Sequence, residues 1–86
     1  MIFGFNSDVQ CGETWYHVQS EIQSKKRQLE THIFVHGRCV GRQITPLGDT
    51  GTPSEQEIQD MLKEQHREVL EAVRAGRLEQ FAIPEP

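Results

Sequence analysis

The chain has 86 residues and a net charge of −4. That length suits one domain, and the acidity argues against wrapping duplex DNA, where neutralised phosphates supply most of the affinity. Hydrophobic residues make up 35% and charged residues 26%, an ordinary globular balance, and no apolar run nears the ~18 residues of a membrane span.

The first residues, Met1-Ile2-Phe3-Gly4-Phe5, lack the basic region of a signal peptide, so a cytoplasmic location is the expectation. Phe3, Phe5 and Val9 alternate with polar or small residues, and Thr14 to Ile22 alternates again. Cys11-Gly12 offers a turn between them, which predicts a hairpin with Phe5 opposite Val18, Ser7 opposite Tyr16 and Val9 opposite Thr14. Its core face is Phe3, Phe5, Val9, Tyr16, Val18 and Ile22. Asn6, Asp8, Trp15, His17 and Gln19 take the other side. Ser24-Lys25-Lys26-Arg27 is a polar link.

The stretch from Gln28 to Ile44 predicts a second hairpin. Leu29, Thr31, Ile33 and Val35 alternate with Glu30, His32, Phe34 and His36. Gly37 permits a two-residue turn as His36-Gly37 or Gly37-Arg38. Either turn puts Val40 and Ile44 on the core face, with Arg38 and Arg42 at its rim, and leaves Cys39 and Gly41 on the open face.

Residues 45–52 read as a loop by their glycine and proline content. A helix follows over 53–76. Thr52 is the expected N-cap with Glu55 closing a capping box, and Ser54 with Glu57 offers the same box two residues later. Gly76 is a natural stop. The apolar stripe is Ile58, Met61, Leu62, Val69, Ala72 and Val73, interrupted by Gln65. The tail, 77–86, adds Leu78, Phe81 and Ile83 with no obvious seat. The whole chain is therefore expected to be one α+β domain, 1–86: a four-stranded antiparallel meander (1–44), the loop, and one long C-terminal helix packed on one face of the sheet.

The chemistry-bearing residues do not converge on a reaction. His17, His32, His36, Cys11 and Cys39 invite a metal reading, but His32 and His36 lie four apart on one strand, roughly 13 Å, and no set supplies the three or four ligands zinc requires. Cys11 and Cys39 are too few for a disulfide framework, and a placement two strands apart exceeds the ~7 Å reach of a bridge. Cys39 beside His36 is the one close nucleophile–base pair, without an orienting third group. Gly48-Asp49-Thr50-Gly51 lacks the ending of a phosphate-binding loop. No enzyme, cofactor or metal is expected.

What remains is a face carrying Trp15, His17, His32, Phe34 and His36 that one helix cannot cover. Such apolar patches ringed by polar groups mark interfaces. With Phe81 from the tail, these residues form the candidate interface of a homodimer or of a docking site for another protein. The imidazoles predict that association weakens as the pH falls through about 6.5. The alternative is a stacking platform for single-stranded nucleic acid, with Lys25, Lys26, Arg27 and Arg42 nearby.

The pieces Phe-Gly-Phe-Asn-Ser-Asp-Val (3–9), Tyr-His-Val-Gln-Ser-Glu (16–21), His-Gly-Arg-Cys-Val (36–40) and Glu-Gln-His-Arg-Glu-Val-Leu (64–70) resemble a family of small, uncharacterised bacterial proteins. That resemblance implies a bacterial origin and no site residues. Four antiparallel strands followed by a long helix is also similar in order to the single-stranded-DNA-binding coactivator and Whirly domains, a likeness of topology alone.

Overall fold

Four strands in the order β1-β2-β3-β4 form one antiparallel sheet: β1 (Gly4–Cys11), β2 (Thr14–Gln23), β3 (Gln28–Val35) and β4 (Arg38–Pro46). A helix, α1 (Glu55–Arg74), and a short 3-10 helix, η1 (Leu78–Phe81), follow. The computed structural model describes residues 4–48 and 53–81, so Phe3, Thr52 and Ile83 lie outside the described residues. The expected ββββα architecture is the observed one, with α1 packed on the sheet.

The first hairpin closes one pair later than its sequence suggests. Cys11 pairs with Thr14, so Phe5 faces Ser20, Ser7 faces Val18 and Val9 faces Tyr16. The cause is Gly12, whose φ of 63° suits the first central position of a tight hairpin turn and leaves Cys11 in the ladder. A shift of two residues preserves the faces, and Val9 and Val18 are buried as expected.

At the second hairpin the turn is His36-Gly37, with φ of 51° and 79°, the double positive φ that a type I′ turn needs. The register then breaks between Ile33 and Phe34: Phe34 pairs with Cys39, whereas Ile33 pairs with Gly41. Val40 is the extra residue of a β-bulge. One inserted residue exchanges the two faces of everything beyond it. Gly41, expected on the open face, therefore sits opposite Ile33 on the core face, and Ile44, expected in the core, sits opposite Glu30 on the other side.

The bulge also gives the tail its seat. A Cβ on Gly41 would lie 2.7 Å from the Phe81 carbonyl oxygen and 2.9 Å from its Cβ. Only glycine lets η1 fold back this closely over β4. Phe81 is 6% exposed and joins Val9, Val18, Ile33, Val69, Ala72 and Val73 in the main core, with Tyr16, Val40, Leu70 and Leu78 against its edge. The helix covers β1, β2 and β3, and η1 covers β4.

Ser54, not Thr52, is the N-cap of α1. Its hydroxyl accepts from the Glu57 amide at 3.1 Å, and Glu57 accepts in return from the Ser54 amide at 3.1 Å. The other end closes with a Schellman pair, the Arg77 amide donating to the Ala72 carbonyl and Gly76 to Val73.

Candidate functional site

Alternation along each strand sorts the sheet into a covered and an uncovered face. On the uncovered face the residues fall into cross-strand rows. Gln10 lies beside Trp15; Asp8, His17, Phe34 and Cys39 form the next row; Asn6, Gln19, His32 and Arg42 the next; Gly4, Glu21, Glu30 and Ile44 the last. Among the described residues, the contacts of α1 and η1 run to the opposite face, through His66, Gln65 and Phe81.

Three rings of this face lie together around Phe34. His17 and Phe34 have centroids 6.4 Å apart, and His32 and Phe34 6.2 Å. His17 is held by Asp8 at 2.9 Å and Asn6 at 3.2 Å. His32 Nε2 lies 3.7 Å from a Glu30 oxygen. Glu21 and Glu30 oppose each other across the ladder, a repulsive placement softened by donation from Gln23 to Glu21 and from Gln28 to Glu30. Trp15 is 60% exposed, the most exposed large hydrophobic of the described residues. His32, Phe34, Cys39 and Arg42 line a shallow groove of about 410 Å³.

Two of the expected site residues belong elsewhere. Phe81 is in the core on the covered face, because the bulge and Gly41 open a seat that alternation alone does not reveal. His36 is in the turn and exposed; the Cys39 thiol points to the Gly41 carbonyl at 3.5 Å instead of to an imidazole. Trp15, His17, His32 and Phe34 do share one face.

The covered face holds a polar row that helical periodicity marked only as an interruption at Gln65. His66 is 5% exposed, between Ser7 Oγ at 2.9 Å from Nε2 and Ser20 Oγ at 2.7 Å from Nδ1. Ser20 Oγ lies 2.7 Å from Thr31 Oγ1. The Gln65 amide donates to Thr31 Oγ1 at 2.9 Å and to the Gln43 carbonyl at 3.2 Å, and its oxygen accepts from Thr45. Phe5 lies against the His66 ring, centroids 5.7 Å apart. Burial above all, and then the charge of His17, depress the His66 pKa below the ordinary histidine value. The row separates Leu29 and Leu62, both fully buried, from the main core. Its signal in the sequence was a small hydroxyl residue among the apolar core-facing positions of β1, β2 and β3: Ser7, Ser20 and Thr31.

Ser7, His66 and Ser20 place hydroxyls on both nitrogens of an imidazole, an arrangement that could activate a nucleophile only beside a cavity. Four grooves among the described residues are lined by other side chains. The most polar one, of about 200 Å³ between α1, β4 and η1, is lined by Gln43, Thr45, Gln65, Glu68, Gln80 and the apolar Val69, Ala72 and Phe81. Among the described residues, no three of His, Cys, Asp and Glu come together around a point where an ion could sit. No helix of the described residues is long and apolar enough to cross a membrane. Comparison with protein-family models, curated proteins and solved structures finds no match.

Proposed function

We propose that the protein is a non-enzymatic interaction module whose uncovered face pairs with the same face of a second copy. The observation that carries this reading is Trp15, 60% exposed, at the end of a face where His17, Phe34 and His32 are already in ring contact. Tryptophan is among the residue types that most often anchor interface centres.

The charge layout favours a second copy as the occupant. Asp8 lies on the β1 side of the face and Arg42 on the β4 side. A two-fold axis along the strands through the middle of the sheet sets the β4 side of one copy over the β1 side of the other and brings Arg42 within one row of the second copy's Asp8, the complementarity that a closed dimer uses. Four strands about 4.8 Å apart and about eight residues long make a face of roughly 500 Å². That falls short of the ~800 Å² each partner gives to a standard interface, so micromolar association is expected.

The nucleic-acid alternative draws support from Trp15, Phe34 and Arg42 on one sheet face. Asp8, Glu21 and Glu30 share that face and repel a phosphate backbone. Analytical ultracentrifugation of the wild type and Trp15→Ala at neutral pH separates these readings. A dimer weakened by Trp15→Ala supports the proposal, and a wild type still monomeric at about 100 µM ends it. Salt-dependent oligonucleotide binding by that monomer would put the alternative in its place.

A further inference from the structure

The buried histidine on the covered face has no part in docking, and its hydrogen bonds can be counted to a single solution. The Gln43 carbonyl can only accept, which fixes the Gln65 nitrogen toward it and toward Thr31. Thr31 Oγ1 thus accepts from Gln65. Thr31 is 0% exposed, so its own hydrogen must go to its other neighbour, Ser20 Oγ. Ser20 then has its hydrogen for His66 Nδ1. Nδ1 is an acceptor, the ring proton sits on Nε2, and Nε2 donates to Ser7 Oγ. Donation runs one way from Thr45 through Gln65, Thr31, Ser20 and His66 to Ser7, and only the neutral imidazole completes it.

We propose that His66 is a proton-sensitive latch between α1 and the sheet. A proton on Nδ1 makes that nitrogen a donor to Ser20, turns the Ser20 hydrogen to Thr31, and strands the Thr31 hydrogen in the interior. Unpaired buried donors are costly, so the helix loosens from β1 and β2 in mild acid. Among the described residues, nothing facing the ring compensates the charge. From β1 it meets Phe5 and Ser7, from β2 Ser20 and, through the sheet, His17; from β3, Thr31 by way of Ser20. On α1 its sequence neighbours Lys63 and Arg67 are cationic and Glu64 is paired with Arg67. Among the described residues, the carboxylates in contact with histidine are Asp8 and Glu30, which serve His17 and His32 on the far face.

With the folded pKa depressed, the unfolded chain takes the proton first. The latch is therefore at full strength above the unfolded value of about 6.5, and it is lost as the pH falls from there to the folded value. Within that window the folding constant drops by up to about tenfold per pH unit. Urea unfolding of the wild type and His66→Gln at pH 7.5 and 5.5 reads the effect, because glutamine keeps a donor and an acceptor without titrating. The expected result is a fall in the wild-type folding constant several-fold larger than in His66→Gln; equal falls overturn the proposal. Nitrogen-15 spectra of the wild-type imidazoles decide independently if the variant does not fold. The Nε2-protonated tautomer for His66 at pH 7.5, with a titration midpoint below the ordinary histidine value of about 6.5, is expected. The Nδ1-protonated tautomer, or a His66 midpoint not below that ordinary value, overturns it.

Discussion

His17 and His66 lie on opposite sides of one strand pair, and the sheet gives them opposite surroundings. His17 faces solvent between Asp8 and Asn6, with a carboxylate ready to meet a proton. His66 faces the interior between two serines, with hydroxyls that suit only the neutral ring. The pairing of a residue's partners, more than the residue, decides what it can do: the covered face uses its polar groups to hold a helix, and the rings and charges of the other face are clear of α1 and η1.

Substitutions on the two faces should therefore separate cleanly in their effects. The largest loss is expected for Ile33→Ala, fully buried in the main core, at about 2–5 kcal/mol in urea unfolding. Gly41→Ala comes next. Its Cβ meets the Phe81 backbone, which cannot swing aside as a side chain tip could, so about 1–3 kcal/mol is expected, together with a rise in Phe81 exposure measured by fragment-resolved hydrogen exchange.

Thr31→Val keeps the shape of the side chain and removes the hydroxyl that links Gln65 to Ser20. Leaving those groups short of a partner should cost about 1–3 kcal/mol; a neutral outcome would mean the polar row is not needed to seat α1. Ser54→Ala removes the N-cap hydroxyl from the Glu57 amide and should cost about 1 kcal/mol in thermal or urea unfolding.

Trp15→Ala marks the other end of the scale. An exposed side chain away from the core is expected to change stability by no more than about 0.5 kcal/mol while weakening self-association in the centrifuge. A large stability loss in dilute, monomeric protein would erase the contrast between the faces.

Much of this molecule is legible in the chain itself. Period-two alternation from Thr14 to Ile22 and from Leu29 to Val35 determines which residues share a face, because a strand has no other way to present them. The Ser54/Glu57 box and Gly76 bound the helix because they satisfy its end groups locally. Trp15, His17, His32 and Phe34 could be grouped before any coordinates, since a two-residue slip in the first hairpin leaves parity intact.

Tertiary structure alone decided the rest. The bulge at Val40 exchanges Gly41 and Ile44 between faces, and nothing local announces it; its reward is the seat for Phe81, more than 35 residues away in the chain. Nor could Ser7, Ser20, Thr31, Gln65 and His66 be read as one row until register and helix placement brought four elements together. A hydrogen bond between distant residues depends on where both ends are held, and that is set by the packing of the whole core.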